Sequence, residues 1–325
     1  MRNKLEPILW LLGVSLLLSS CANYKRHYTK TETNWAAQQP DPELGRSHRM
    51  YLVGDAGYLP ESGKNPVLHY LKNHLPEEDK AASILFLGDN IYPRGLPDKS
   101  NPENRTLAEQ SLNLQLDALK GFAGEILFIA GNHDWGNGLA GRRRQRAYFD
   151  EYLNTKRGIT DEDAKGWKNY FVPNGGCPGP EVIELDDRVV VVAVDSEWYL
   201  SDWDKEPDIN DGCEIKSRAH FKFEMENVLR KYRRHQVVIA LHHPPYTNGP
   251  HGGKFHIRQH IFPLTELNPN LYIPLPGLGS LAAFLRASVG SKQDMANGSY
   301  KSLMSAILPG AKKNGSYIFA SGHEH

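Results

Sequence analysis

The sequence lacks an excess of charge of either sign. Its 325 residues include 38 Lys and Arg and 38 Asp and Glu, so the formal net charge at neutral pH is zero. Proteins that bind nucleic acid usually carry a basic surface, and nucleic acid is therefore not expected as a partner. The densest basic run, Arg142–Arg146, is expected to form a solvated helix face, as such runs usually do.

The sequence also lacks the short motifs of several enzyme classes. It contains no phosphate-binding P-loop, no serine nucleophile elbow and no CxxC pair. Internal repeats and low-complexity tracts are absent from it as well. These absences argue against a nucleotide-cradling loop, a serine nucleophile and a thioredoxin-like redox site.

The apolar run near the N-terminus is too short to cross a membrane. It extends from Ile8 to Leu18, whereas a membrane-spanning helix needs about 20 residues. Basic residues before it and small residues after it are typical of a signal peptide. Leu18-Ser19-Ser20-Cys21 resembles the lipobox of bacterial lipoproteins, which implies that residues 1–20 are removed and Cys21 is lipidated. The alternative is an ordinary signal peptide followed by a coincidental cysteine.

This interpretation predicts an exported protein that a lipid anchors to the bacterial outer membrane, on its periplasmic or surface face. Ala22, rather than Asp, follows the cysteine, and by resemblance to lipoprotein sorting this favours the outer membrane. Residues 21–48 are polar and predict a tether. Besides Cys21 the chain has Cys177 and Cys213, which can form a disulfide in an oxidising compartment if their geometry allows it.

From Met50 onward, short apolar runs end in polar turns that contain Gly or Pro. The runs and turns are MYLV–GDAG, SILFL–GDNIY, EILFIA–GNHD, QVVIA–LHHPPY and SYIFA–SGHEH. Each run has the length of a buried strand. VIELDDRVVVVAV predicts a hairpin that turns at Asp186-Asp187. Helices are predicted in between, one behind a capping box at Thr106 and Glu109 and one with an apolar stripe from Phe221 to Tyr232.

Strands that alternate with helices, together with a hairpin, predict an α/β fold with antiparallel additions. Residues 49–325 are expected to form one domain. The stretch 250–315 has scattered Pro and Gly and two helical segments, near 281–287 and 300–308. Since it lies between two strand motifs, it is interpreted as an insertion, and such loops often control access to a site.

The predicted strand ends carry a set of polar side chains: Asp55, Asp89, Tyr92, Asn132, His133, His242, His243, His323 and His325. Each one alone could be a turn or surface residue. Their concentration at five strand ends points to a shared site, because ligands bind beyond the carboxyl ends of such strands. Carboxylate, amide and imidazole donors suit iron, manganese or zinc. Two such ions about 3.5–4 Å apart are suited to phosphoryl transfer.

The motifs GDAG, GDNIY, GNHD, LHHP and GHEH, in this order, resemble those of the calcineurin-like metallophosphoesterases. The tyrosine of GDNIY narrows the resemblance to the purple acid phosphatases, including the tartrate-resistant type. The resemblance covers roughly residues 48–325. It implies a β-sandwich flanked by helices, in four αββα layers, and a further strand beyond residue 325.

The resemblance also implies a role for each site residue. Asp55, Tyr92 and His325 would bind the first metal, Asp89 would bridge both metals, and Asn132, His242 and His323 would bind the second. His242 is preferred to His243 because one residue and then Pro244 follow it. His133 would orient phosphate or protonate the leaving oxygen. His251 would contact substrate, although His256 and His260 lie in the same loop.

The tyrosine implies which metals are present. A phenolate is a hard anionic donor, so the resemblance implies Fe(III) at the Tyr92 site and Fe(II), Zn or Mn at the other. A hydroxide on the trivalent ion would be the nucleophile. The alternative is that Tyr92 only packs nearby and both sites hold Mn or Zn.

The expected activity is hydrolysis of phosphate monoesters. One alternative is a phosphodiesterase acting on nucleotides or lipid headgroups, since the same metals serve both reactions. The other alternative is a non-catalytic module that binds metal or phosphate at a surface. The complete ligand set argues against the non-catalytic alternative.

Overall fold

The computed structural model describes residues 48–60, 62–75, 81–156, 170–203, 205–268, 270–314 and 317–324. The described residues form two compact units, one within Arg46–Thr247 and Gly298–His325 and the other within Asn248–Asn297. The predicted signal peptide and tether lie outside the described residues. Among the helices in the described ranges, none combines the length and the apolar character that crossing a bilayer requires.

The larger unit contains two sheets in its described residues. The strands are β1 (Arg49–Val53), β2 (Ala82–Leu87), β3 (Glu125–Ile129), β4 (Glu181–Glu184), β5 (Val189–Ala193), β6 (Gln236–Ala240) and β7 (Tyr317–Ala320). The first sheet has the order β1-β2-β3 and the second the order β4-β5-β6-β7. All neighbours are parallel except β4 and β5, which form the predicted hairpin.

Helices connect these strands. In the larger unit they are α1 (Pro66–His74), α2 (Pro102–Ala118), α3 (Gly138–Lys156), α4 (Ser196–Leu200), α5 (Arg218–Lys231) and α8 (Gly298–Asn314). The smaller unit contains α6 (Ile257–Ile261) and α7 (Pro276–Ser288). The predicted helical segments at 281–287 and 300–308 therefore belong to different units.

The two sheets pack against each other through every second strand residue. Leu85, Leu87, Leu127 and Ile129 of the first sheet share one buried cluster with Val191, Ala193, Val238 and Ala240 of the second. This alternation follows from the period of two in a strand. Burial of this apolar surface is the main term that favours the folded state.

The intervening strand residues face helices. Phe86 and Phe128 stack at 4.2 Å, and Phe149 of α3 packs edge-on against Phe128 at 4.8 Å. On α5, the predicted stripe buries Phe221 and Met225. Because both faces of these strands are covered, the strands read as continuous apolar runs in the sequence. The expected mixed α/β fold, with two sheets flanked by helices, is confirmed.

The helix after β2 begins earlier than expected. Pro102 starts α2, with Asn101 as its N-cap residue. Thr106, which was expected to cap the helix, lies inside it and donates its hydroxyl to Pro102 O at 2.8 Å. Glu109 pairs instead with Arg105 at 2.6 Å. The predicted capping box is therefore wrong.

Candidate metal centre

The predicted site residues in the described part of the larger unit follow strand ends. Asp55 follows β1, Asp89 and Tyr92 follow β2, Asn132 and His133 follow β3, His242 and His243 follow β6, and His323 follows β7. Ligand atoms of Asp55, Asp89 and His242 lie within 4.8 Å of one another. The carboxyl ends of strands from both sheets therefore contribute to one site. The remaining predicted ligand, His325, lies outside the described residues.

Side-chain atoms of Asn132, His242 and His323 converge on one point. Asn132 Oδ1 lies 3.0 Å from His242 Nε2 and 3.1 Å from His323 Nδ1, and the two ring nitrogens are 3.3 Å apart. Asp89 Oδ1 is 3.4 Å from His242 Nε2. Atoms bound about 2.0–2.2 Å from a common ion lie roughly 2.8–3.6 Å from each other, so this group suits one metal ion.

The hydrogen bonding of His242 also suits a metal ligand. Its Nδ1–H donates to Leu87 O at 2.8 Å, as ligating histidines commonly do. In the neutral ring, the lone pair of Nε2 then faces Asn132 Oδ1, and two acceptors that face each other favour a cation between them. Burial lowers the pKa of His242, but the Asp89 carboxylate outweighs burial and raises it to about 9. The group thus favours a positive charge, which a metal ion would supply in place of the proton.

Asp55 and Tyr92 form a second group of donors with the other oxygen of Asp89. Tyr92 Oη donates to Asp89 Oδ2 at 2.9 Å and lies 3.4 Å from Asp55 Oδ1. Burial raises the pKa of the Tyr92 phenol, and the charges of Asp89 and Asp55 raise it further, far above its usual range. Without a cation, the phenol therefore keeps its proton and acts as a donor to Asp89.

Asp89 lies between the two groups. Its Oδ1 faces His242 and also accepts from the His133 backbone N–H at 2.9 Å, while its Oδ2 faces Tyr92. Burial acts to raise the pKa of Asp89, but the charges and hydrogen bonds of His242 and His133 outweigh burial and hold it well below its usual range. A charged carboxylate with one oxygen towards each group is the arrangement that a bridge between two metal ions requires.

Three predicted ligands share an uncommon backbone conformation. Asp55 and Asp89 have φ of 53° and His323 has φ of 77°, and they are the non-glycine residues with positive φ among those described. This left-handed conformation costs free energy for residues with a Cβ and clusters at functional sites. It is stabilised here by the His323 backbone N–H, which donates to both carboxylate oxygens of Asp55 at 3.0 Å.

Two glycines next to ligands allow the loops to approach closely. A Cβ on Gly131 would overlap Asp89 Oδ1 and the Asp89 backbone nitrogen. A Cβ on Gly322 would crowd Asp55 Oδ2 and Leu87 O. A side chain at either position would therefore push the metal-binding loops apart.

Asp134 supports the site but was not singled out from the sequence. It is fully buried and accepts from the Asn90 backbone N–H, the Asn90 side-chain amide and the Gly131 N–H at 2.8–3.2 Å. It thereby ties the loop after β2 to the loop after β3. Burial, followed by repulsion from Asp89, raises the pKa of Asp134 to about 6. Its position directly after Asn132 and His133 was the one available signal.

The neighbouring histidines His242 and His243 have different surroundings. Whereas His242 faces Asn132 and Asp89, the His243 ring is held by Ser196, whose hydroxyl lies 2.7 Å from Nδ1. Its Nε2 is 3.6 Å from Glu197 Oε2, and its ring packs 4.5 Å from that of His323. His242 therefore faces the candidate metal centre and His243 does not, while the choice of His242 as the ligand stays a prediction.

His133 lies at the edge of the site. Its Nδ1–H donates to Pro93 O at 2.6 Å, and its Nε2 is 3.9 Å from Asp89 Oδ2. The ring packs against Tyr92 with centroids 4.4 Å apart, and about a third of the side chain is exposed. The ring is thus oriented by the backbone and its second nitrogen faces the metal-binding groups.

His251 belongs to the smaller unit. Its Nδ1–H donates to Asp294 Oδ1 at 2.9 Å, and Arg286 donates to the same oxygen. Burial acts to raise the pKa of Asp294, but these bonds and those from Ser291 outweigh it and hold the pKa well below its usual range. The predicted contact between His251 and substrate stays a prediction. The alternatives also have local partners, since His256 caps α6 and His260 lies 3.3 Å from the Ser280 hydroxyl.

The expectation that Arg142–Arg146 form a solvated face is wrong for Arg142. Its side chain is 1% exposed, its guanidinium stacks 3.7 Å from the centre of the Phe171 ring, and its Nη2 donates to Pro173 O at 3.0 Å. Its Nε lies 3.6 Å from the buried carboxylate of Asp195, which also accepts from Trp135. The basic run was misjudged because its spacing does not show which residue of the helix faces the core.

Cys177 and Cys213 form a disulfide bond with a Cα–Cα distance of 5.5 Å. Their separation of 36 residues joins the segment before β4 to the loop between α4 and α5. The predicted lipidation site, Cys21, lies outside the described residues.

Comparison with known protein families agrees with this geometry. The model of the calcineurin-like phosphoesterases matches residues 48–273. The chain therefore belongs to the calcineurin-like phosphoesterase family, whose members are metal-dependent phosphoesterases that typically bind two metal ions. A search of curated proteins finds no match. The matched range begins with the first described residue and includes the predicted ligands that follow β1, β2, β3 and β6.

Proposed function

We propose that the protein is a phosphatase of the purple acid phosphatase type, which hydrolyses phosphate monoesters at a dinuclear metal centre. The observation that carries this proposal is the position of Asp89, whose two oxygens face two separate groups of donors. One group is Asn132, His242 and His323, and the other contains Asp55 and Tyr92. His325, which follows the same strand as His323, would add a further donor to the second group.

Two bound ions would supply Lewis acidity that activates water and neutralises the charge of the phosphoryl group. The protein's own residues orient these ions and the substrate. Asp89 sets the distance between the two groups, and the hydrogen bond from His242 to Leu87 O directs Nε2 inward. Asp134 holds the two loops in register through the Asn90 and Gly131 amides.

His133 is proposed as the proton donor. Because Nδ1–H is held by Pro93 O, a protonated ring has its remaining N–H at Nε2, beside Asp89. It would give this proton to the leaving oxygen of the ester as the P–O bond breaks. Its partial exposure lets substrate reach the ring.

Tyr92 is the basis for proposing Fe(III) at the first site, with Fe(II), Zn or Mn at the second. A phenolate is a hard donor that suits a trivalent ion. Since the pKa of Tyr92 is raised, metal binding at this group must displace a proton from the phenol. The affinity of the first site is therefore expected to rise with pH.

Export and lipid anchoring at Cys21 are part of the proposal. The Cys177–Cys213 disulfide supports export, because such bonds persist mainly in oxidising compartments. The motif around Cys21 supports attachment to the outer membrane.

The direct test is hydrolysis of an aryl phosphate monoester compared with the matching diester, by protein reconstituted with iron and zinc. Asp89→Asn is the inactive control, and Asp187→Asn, at the exposed turn of the β4–β5 hairpin, is the matched control. We expect monoester turnover that Asp89→Asn loses and Asp187→Asn keeps. A preference for the diester would show a phosphodiesterase instead, and no turnover of either substrate would contradict the proposal.

A further inference from the structure

The smaller unit exposes an unusual share of apolar side chains. Of the eighteen large apolar side chains that are exposed in the described residues, ten belong to Asn248–Asn297. They are Ile257, Leu267, Leu271, Tyr272, Ile273, Leu278, Leu281, Phe284, Leu285 and Val289. Single exposed apolar residues are normal in soluble proteins, but contiguous groups of them mark interaction surfaces.

Helix α7 concentrates this exposure on one side. Leu278, Leu281 and Leu285 follow the spacing i, i+3 and i+7, which aligns them along one helix face, and Val289, the C-cap residue, continues this line. Phe284 lies next to this line, and the five side chains are 52–66% exposed. We call these five residues the apolar face.

The opposite side of α7 consists of small residues that pack inward. Gly279 and Ala283 are the buried residues of this helix. A Cβ on Gly279 would overlap the backbone of Gln259 and His260 in α6, so the two helices touch at the glycine. A surface helix normally buries its large apolar residues, and α7 does the reverse. Its large side chains therefore remain more than half exposed.

The charge of this unit suits an anionic surface. Asn248–Asn297 contain four basic side chains, Lys254, Arg258, Arg286 and Lys292, against two acidic ones, Glu266 and Asp294. Asp294 is already neutralised by Arg286 at 2.9 Å. An exposed apolar helix face in a unit with an excess of basic side chains suits the interface of an anionic lipid bilayer.

A bilayer would also be close at hand if Cys21 is lipidated as proposed. Between Cys21 and His48, the first described residue, lie 26 residues of polar chain. Twenty-six residues reach at most about 90 Å even when fully extended. The lipid would therefore hold the domain near the membrane, and a weak surface contact would then be populated.

We propose that the apolar face of α7 inserts into the boundary between headgroups and acyl chains of an anionic lipid bilayer and holds the domain against the membrane. The contact is separate from the lipid anchor and from the catalytic proposal. Each face residue would exchange water for acyl chain, while the basic side chains of the unit would face lipid phosphates.

The test measures the environment of one face residue directly. Leu281→Cys, in the full chain with Cys21→Ser so that no lipid is attached, is labelled with an environment-sensitive fluorophore. The matched control carries the label at Phe223→Cys, an exposed apolar position on α5 of the larger unit. Both proteins are mixed with vesicles of phosphatidylethanolamine and phosphatidylglycerol, and with vesicles of phosphatidylcholine alone.

We expect a blue shift and quenching by acyl-chain quenchers at position 281 with the anionic vesicles, a smaller change with phosphatidylcholine, and none at position 223. Adding Phe284→Asp should weaken vesicle binding by about tenfold, because it removes one inserted side chain and adds a charge. Unchanged fluorescence at position 281 while the protein sediments with vesicles would overturn the proposal. A shift that depends on protein concentration without lipid would also overturn it, because it would show a protein occupant.

Discussion

The two compact units use their apolar residues in opposite ways. In the larger unit, alternate strand residues such as Leu85 and Val238 are buried between the two sheets. Polar side chains follow the ends of the strands. In the smaller unit, α7 buries Gly279 and Ala283 and exposes leucines. The first pattern is explained by the stability of the fold and the site it supports. The second leaves apolar surface available for an external partner.

The difference also concerns where strain and charge are placed. The positive φ values outside glycine, among the described residues, occur at Asp55, Asp89 and His323, all in the larger unit. There, buried charges face each other and favour a cation. In the smaller unit the buried carboxylate of Asp294 already has its cation in Arg286. The predictions below test this contrast, first by the effects on hydrolysis from the largest to the smallest and then by an effect on stability.

Removing the charge of Asp89 should have the largest effect. Asp89→Asn keeps the shape of the side chain but removes the anion shared by both donor groups. We expect monoester hydrolysis to fall by at least about 10³-fold, because several kcal/mol of transition-state stabilisation depend on the metal centre. Steady-state kinetics would measure this. Activity within tenfold of the wild type would mean that Asp89 does not bridge metals.

Filling the space at Gly131 should disturb the site from the backbone side. Gly131→Ala places a methyl group against Asp89, and we expect a loss of about 10²-fold in kcat/KM from displaced ligands. Gly277→Ala in α7 is the matched control, since nothing lies within 4 Å of the added Cβ. That variant should be as active as the wild type and equally stable to within about 0.5 kcal/mol. Equal kinetics for both variants would contradict the close contact between Gly131 and Asp89.

Tyr92→Phe tests the identity of the bound metal separately from the hydrolytic activity. It removes the phenolate oxygen, so oxidised protein that contains iron should lose its visible charge-transfer absorption. Hydrolysis should fall by about tenfold, since one ligand of several is lost. Absorption spectra and metal content of the two proteins give the comparison. A wild type that holds iron but is colourless when oxidised would exclude the purple type and leave a phosphoesterase.

Asp294→Asn tests how the stability of the smaller unit depends on pH. The pKa of Asp294 is lower in the folded state than its usual value, so its charge stabilises the fold above that value and this contribution is lost as the pH falls. The variant should be less stable than the wild type at neutral pH by about 2 kcal/mol. The difference should shrink in acid. Denaturant unfolding at several pH values measures it, and a difference independent of pH would contradict the assignment.

Much of the site was predictable from local pattern. A buried strand is a continuous apolar run, and the glycine and the polar residue after it mark the turn at its carboxyl end. Asp89 and Asn132 could therefore be identified without knowing the order of strands. The hairpin turn at Asp186 was equally local, because Asp186 Oδ1 accepts from the backbone N–H of Arg188 and Val189 at 2.7 Å.

What could not be predicted depends on contacts distant in sequence. Arg142 is buried because Asp195 and Phe171 surround it, and neither is near it in the chain. Asp134 supports the site through Asn90, 44 residues away. The sequence also does not show which face of α7 is exposed, because its exposed leucines have the same spacing as the buried apolar residues of an ordinary surface helix.

The most direct test of the central claim is the metal content of the purified protein, measured by elemental analysis and located by anomalous X-ray scattering. We predict two ions per chain, one beside each oxygen of Asp89, and loss of at least one ion in Asp89→Asn. A single ion, or two ions retained unchanged in Asp89→Asn, would contradict a centre bridged by this carboxylate.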